Sequence, residues 1–300
     1  MSATAIQRWV IGEVQITKVI EVEATVDLQM VLPELAAGML ERHAAWLRPH
    51  FVDDDGKGRM SVHGLVIDTG TRRILVDPCI GERRGIQSEP SDGFLDRLAR
   101  AGYAVDDIDT VLCTHLHFDH TGWNTRLVDG QWVVTFPKAR YLFGRVEWER
   151  WKDDDGTTAD ADIAETVRPV VAAGVADLVE TDHRLCDEVH LVPTPGHTPG
   201  HVSVVIESRG ERAVITGDVA HHPLQYGEPD LRMYADDDSA RAATTRRAFL
   251  AERSADNALV IGTHFAAPTA GHVRAEGATW RFDAVTDDSK GHDTRVGLRN

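Results

Sequence analysis

The 300-residue sequence predicts a mixed α/β fold in a single domain. Three observations carry that expectation. Segments with strand-like and helix-like apolar spacing interleave along the whole chain instead of separating into blocks. No repeat, low-complexity linker or sharp change of composition divides it, so one domain over residues 1–300 is expected. With 42% hydrophobic and 27% charged residues it falls among ordinary globular chains. A chain of this length buries about three quarters of the surface its unfolded form exposes, so a metal site would serve chemistry and not merely folding.

The elements follow in order. Residues 9–22 alternate around Gly12 with Val14, Ile16 and Val19, as strands do, and a second strand pair is expected at 62–67 and 73–76 around Asp68-Thr69-Gly70-Thr71. Between them Leu32, Leu35, Ala36, Met39, Leu40 and Leu47 recur near helical spacing, bracketed by Pro33 and Pro49. Residues 32–50 are therefore expected to form a helical lid or dimer contact, or to pack on their own core. A short helix at 94–101 ends at Gly102, and a buried strand at 108–113 runs straight into a polar cluster at 114–121. Helices are expected at 146–151, 163–173 and 239–252, and strands at 189–192, 202–206, 213–216 and 258–262. The acidic runs 53–55, 153–155 and 236–238 read as solvated loops.

Counting 48 acidic against 32 basic side chains gives a net charge of −16, which repels nucleic acid and anionic membrane surfaces. Cys79, Cys113 and Cys186 are widely separated with no C-x-x-C pair, and read as reduced and mostly buried. Arg8 and Trp9 interrupt any secretory signal, and no apolar run approaches the roughly 20 residues of a membrane span, so a cytoplasmic location is expected.

Directly after the strand at 108–113, Thr114-His115-Leu116-His117-Phe118-Asp119-His120 packs four candidate metal ligands into six positions. His115 and His117 fall on one side of an extended backbone, while Asp119 and His120 follow where the chain turns, a geometry that suits two adjacent metals better than one. Further on, Thr194-Pro195-Gly196-His197-Thr198-Pro199-Gly200-His201 sets a histidine in a stiffened loop. Two buried strands then end in Gly217-Asp218 and Gly262-Thr263-His264. Each of these alone reads equally well as a turn or a core residue; their order and number carry the argument.

The order H-x-H-x-D-H, then His, Asp and His, resembles the metallo-β-lactamase fold superfamily from His115 through His264. The resemblance implies an αββα sandwich, with two sheets face to face, helices outside and metals at the strand ends along one edge. It implies one metal on His115, His117 and His197, a second on Asp119, His120 and His264, Asp218 bridging them, and His201 as a structural neighbour. Imidazoles and carboxylates suit two divalent ions, Zn2+ first, with Fe, Mn or Co also accommodated. Such a pair lowers the pKa of a shared water from near 16 toward about 7, giving a bridging hydroxide that attacks a lactone, ester or phosphotriester.

The wording around His115 and His197 resembles the lactonase branch, including N-acyl homoserine lactonases. The stretches 217–221, 237–239 and 271–277 are similar to methyl parathion hydrolase and its relatives. Where those lactonases commonly carry a tyrosine three residues after the bridging aspartate, this chain has His221, which joins Asp119 and Asp218 as a candidate catalytic residue. Ordinary packing is the other reading of His221. Trp123 and Phe265, next to ligand-bearing turns, are expected as pocket walls. The resemblance also implies a homodimer acting on a small molecule. The rival readings are a mononuclear iron persulfide dioxygenase, an oxidoreductase using one metal, and a non-catalytic metal-binding protein of the same fold. A glyoxalase II-like thioesterase lacks room after His264 for its basic helical domain, and the acidic balance disfavours an RNase Z-like nuclease.

Overall fold

Alternating burial along the strands decides the architecture. The computed structural model describes residues 6–82, 93–154 and 162–286. Within them β1 (Arg8–Ile11), β2 (Val14–Val26), β3 (Gly58–Asp68), β4 (Arg73–Val76) and β5 (Thr110–Leu112) precede a separate hairpin of β6 (Thr125–Val128) and β7 (Gln131–Val134). After β8 (Arg140–Gly144) and β9 (Ala176–Val179) come β10 (Val189–Pro193), β11 (Val202–Ser208), β12 (Glu211–Ile215), β13 (Leu259–Ile261), β14 (Ala270–Glu276) and β15 (Thr279–Ala284). One sheet has the order β1-β2-β3-β4-β5-β8-β9 and the other β10-β11-β12-β13-β14-β15.

Leu65 and Ile67 of β3 and Ile74 and Val76 of β4 share one buried cluster with Val204 and Ile206 of β11 and Ala213 and Ile215 of β12. The residues between them point the other way. Val66 and Leu75 pack with Phe94 and Leu98 of the helix Gly93–Arg100. Val205 and Val214 pack with Phe249 and Leu250 of the helix Ser239–Asp256. Each sheet is thus covered on both faces, and the layers run helix, sheet, sheet, helix. No helix among the described residues is long and apolar enough to cross a membrane.

Two helix expectations need correction. Residues 32–50 hold only the single turns Met39–Arg42 and Ala44–Leu47. Their apolar spacing arises because Leu32, Leu35 and Leu47 pin an irregular segment to the core under the second sheet, while Pro33 and Gly38 oppose a continuous helix. The helix expected at 163–173 is split into Ile163–Thr166 and Arg168–Ala172, with a proline in the first turn of the second piece that cannot continue the hydrogen-bond ladder.

Strand direction gathers the unusual residues. Strands β4, β5 and β8 are parallel, as are β12 and β13, so the chain leaves β5, β12 and β13 at corresponding ends of their sheets. The β10–β11 connection lies at the same end as the exit of β12, because β11 is antiparallel to both neighbours.

Candidate metal centre

The structure brings all seven residues singled out as ligands into one cluster, buried except for the partly exposed Asp119. Ligand atoms of His115, His117 and His197 lie within 4.8 Å of one another, and so do those of Asp119, His120 and His264. Asp218 stands between the two groups. Its Oδ2 is 3.5 Å from His115 Nε2, and 3.3 Å from both His120 Nε2 and His197 Nε2. Its Oδ1 is 3.3 Å from His264 Nε2. A single carboxylate therefore reaches imidazoles of both groups.

The residues fit a cation on their own chemistry. His115 Nε2, His120 Nε2, His264 Nε2 and Asp218 Oδ1 are buried with no hydrogen-bond partner, an arrangement costly for polar atoms unless something positive completes it. Several nitrogens turned away from the cluster are held. His115 Nδ1 meets the Thr114 hydroxyl at 3.1 Å, His197 Nδ1 meets Asp236 Oδ1 at 3.0 Å, and His264 Nδ1 donates to the Ser61 carbonyl at 3.2 Å. His120 Nδ1 lies 3.1 Å from Asp77 Oδ2, close enough for an ion pair but without a hydrogen bond. Such partners fix ring orientation and tautomer, leaving each Nε2 aimed inward. His117 instead turns Nδ1 inward, to 2.9 Å from His197 Nε2.

Local backbone explains the precision of Asp218. Gly217 has φ of +54°, and a Cβ there would come within 2.5 Å of His201 Nε2, so only glycine admits the turn. His201 Nε2 in turn accepts the Asp218 N–H at 2.7 Å. His201 is thus a support for the carboxylate, as the sequence suggests.

Burial holds His115 and His117 well below the ordinary imidazole value, and neighbouring imidazoles push the same way, so both rings are neutral. For His197 burial is outweighed by Asp218 and Asp236, which raise it to about 9. His120 is likewise raised well above its usual value by Asp218, Asp119 and Asp77 against the burial that lowers it. These carboxylates demand positive charge in the cluster, from protons or from a metal.

The cluster forms the floor of a cavity of about 220 Å³. His221 lines it, with Nε2 3.0 Å from Asp218 Oδ2 and its ring stacked on His264. The walls are apolar, with Val22, Val26, Val31, Met60, Met233 and Tyr234 among them. The expectation for Trp123 and Phe265 is corrected here, because neither lines the cavity. Trp123 stacks on Phe94 and donates from Nε1 to Glu21 at 2.7 Å, and Phe265 is buried among Phe51, Tyr226 and Phe282. Adjacency to a ligand in sequence sends these rings behind the site, not into it. The acidic run 236–238 is corrected too, since the Asp236 side chain is 1% exposed and holds His197; of the run 153–155, Asp155 lies outside the described residues. Asp77 and Asp236 are the supporting residues that sequence reasoning missed. A carboxylate beside a strand end is the one signal that could have pointed to Asp77.

Comparison with known proteins agrees with this geometry. An N-acyl homoserine lactonase of Bacillus sp. is 29% identical over 124 residues, 41% of this chain and 43% of that protein. A probable metallo-hydrolase of Mycobacterium tuberculosis is 27% identical over 185 residues, 53% of this chain and 57% of that protein. The chain thus spans about half the length of these curated relatives. Among solved structures, the hydrolase AbOPH of the β-lactamase superfamily superposes with a TM-score of 0.80 at 22% identity, covering 95% of this chain and 99% of that one. The dizinc quorum-quenching lactonase AidC, bound to a homoserine product, gives 0.76 at 19% identity, covering 94% and 97%. The family model for the metallo-beta-lactamase superfamily matches residues 58–264, every proposed ligand included, and the chain belongs to that superfamily.

Proposed function

We propose that this protein is a two-metal hydrolase that cleaves an uncharged lactone, carboxylic ester or phosphotriester carrying an apolar group. The observation that carries the reading is the cavity itself, whose floor is the histidine and aspartate cluster and whose walls are apolar, with no lysine or arginine lining it among the described residues. An anionic substrate would find no lysine or arginine there among the described residues, whereas an acyl or aryl group loses water against Val22, Val26 and Met60.

In this reading His115, His117 and His197 hold one divalent ion, Asp119, His120 and His264 the other, and Asp218 touches both. Zinc is the first choice, with iron, manganese or cobalt compatible with the same donors. Bound in this way, the ions supply Lewis acidity and a hydroxide nucleophile at neutral pH. The chain's own part is positional. Asp218 fixes the spacing of the two groups, and Asp119 adds a carboxylate at the cavity face, where it is the most exposed of the seven. His221 stands at the floor as a neutral ring, because burial lowers its pKa; its single N–H, on Nε2 beside Asp218 Oδ2, is the donor that would turn to the substrate oxygen that gains charge. The apolar walls orient the substituent and exclude water.

The setting proposed with it is one hydrolase domain over residues 1–300, cytoplasmic, acting on a small molecule and not on nucleic acid or membrane. Residues 32–50 roof the second sheet as a lid or dimer contact, although Leu32, Leu35 and Leu47 are already committed to the chain's own core.

The test is a hydrolysis panel of lactones, aryl esters and phosphotriesters on purified, metal-counted protein, with His221→Ala alongside. Turnover of at least one neutral substrate is expected, falling about a hundredfold in His221→Ala with metal content unchanged. Turnover confined to anionic substrates, or oxygen consumption with one iron per chain, contradicts the reading.

A further inference from the structure

We propose that Glu147 is the positioning residue that sets metal affinity at the His115, His117 and His197 group selectively, leaving the Asp119, His120 and His264 group untouched. The proposal rests on the two-metal reading above and assigns a role to a residue outside the ligand set.

Glu147 belongs to the helix Arg145–Trp151, which packs outside the first sheet, yet its side chain is fully buried. Oε1 accepts the Gly200 N–H at 2.7 Å. Oε2 accepts the Leu116 N–H at 3.3 Å and the Trp151 Nε1–H at 3.2 Å. Leu116 is the residue between His115 and His117, and Gly200 closes the loop that carries His197. One carboxylate therefore ties together the two loops that supply all three ligands of one group. Trp151, held by the same oxygen, packs edge-on against the His117 ring at 5.7 Å.

The other group is supported differently. His120 faces Asp77, and His264 is held by the Ser61 carbonyl. Asp119 and His120 follow on the same stretch as Leu116, but Glu147 meets that stretch between His115 and His117, so its loss falls first on their group.

The clamp is specific to a carboxylate. The three N–H groups that meet it are all donors, so an acceptor-only group with two oxygens suits it, and an amide of the same shape would turn its NH₂ toward one of them. Gly200 is matched to it as well, since a Cβ there would come within 2.9 Å of Oε1 and 2.8 Å of the Glu147 nitrogen. Burial pushes the Glu147 carboxyl above its ordinary value while the hydrogen bonds oppose the shift. A buried carboxylate costs stability unless its contacts repay it, and here the contacts lead to the ligand loops.

The experiment titrates Zn2+ into metal-free full-length protein against a chromophoric chelator, and records the visible absorption of the Co2+-loaded form. In Glu147→Gln one of the two equivalents should bind about 10 to 100-fold more weakly, with the other unchanged and one set of Co2+ bands shifted. His264→Ala serves as the reference for the opposite equivalent, so the double variant Glu147→Gln/His264→Ala should lose both. Trp151→Phe, which removes one donor and keeps the clamp, should retain both. If Glu147→Gln fails to fold, Glu147→Asp, which keeps the carboxylate and shortens its reach to the Gly200 and Leu116 N–H groups, should weaken the same equivalent. Equal weakening of both equivalents, or a lower melting temperature of the metal-free protein with neither affinity moved, overturns the proposal. Wild-type protein that takes up no second equivalent contradicts the two-metal reading itself, and the proposal falls with it.

Discussion

The two sheets deliver their share of the metal centre by opposite means. The first supplies His115, His117, Asp119 and His120 from one short stretch after β5. The second supplies His197, Asp218 and His264 one at a time, from the β10–β11 loop and from the exits of β12 and β13. A contiguous cluster needs only one loop to be shaped. The dispersed set exists only once three strands are paired in register, so its geometry depends on closing long loops and packing the sandwich. Its supports come from far away as well. His197 leans on Asp236 and His264 on Ser61 of the opposite sheet, whereas His115 leans on its neighbour Thr114.

The largest effect expected from this contrast is at Asp218, the dispersed residue that touches both groups. Asp218→Ala should lower hydrolysis on the order of a thousandfold or more, with both metal equivalents weakened, while His201→Ala, which removes only a support of its backbone, should cost clearly less. Steady-state kinetics with metal counts on the two variants make the comparison, and equal losses would show that the carboxylate does not link the groups.

A smaller effect is expected from Asp236→Asn. The amide oxygen can still accept from His197 Nδ1, but one of the two charges that raise His197 is gone, Asp218 remaining, so affinity for one equivalent should fall about tenfold. Chelator competition reads this directly. An unchanged affinity would mean that the distant support is dispensable and that the dispersed set is as self-sufficient as the local one.

An effect on stability and not on metal affinity falls outside the ligands, at His222, which shares the same irregular segment after β12. Its Nε2 donates to the Phe51 carbonyl at 2.9 Å and its Nδ1 accepts the Leu224 N–H at 3.2 Å. Burial lowers its pKa from 6.5 to about 4. The folded state therefore binds fewer protons than the unfolded one between these values. Stability from this residue is complete above pH 6.5 and is lost as pH falls toward 4, by about 3 kcal/mol. Denaturant unfolding of metal-free wild type and His222→Asn across that range should show a flatter acid limb in the variant, and parallel curves would remove His222 from the account.

The same contrast explains what could be read from sequence. The cluster at 115–120 is legible because four candidate ligands crowd one strand end, and Asp218 and His264 are legible because a glycine follows an apolar strand in each case. Supports are not legible, since Asp77, Asp236 and Glu147 lie far from the ligands in sequence and acquire meaning only from packing. Asp236 is hidden further by its acidic neighbours, which make it look solvated. Trp123 and Phe265 mislead for a related reason. Residues beside a ligand often point away from it, and both rings follow that geometry into the core. Strands such as β3 and β12, with long buried runs, are readable from their apolar residues, whereas the sandwich comes only from the family resemblance, and β6 and β7 carry too many exposed positions to announce themselves.

The central claim is that catalysis requires both halves of the centre, and one measurement bears on it most directly. Metal-free full-length protein is titrated with Zn2+ while turnover of a neutral lactone or phosphotriester is followed, with bound metal counted at each point. The account predicts that activity appears with the second equivalent per chain and disappears on chelation. Full activity at one equivalent, or hydrolysis that survives complete removal of metal, would contradict it.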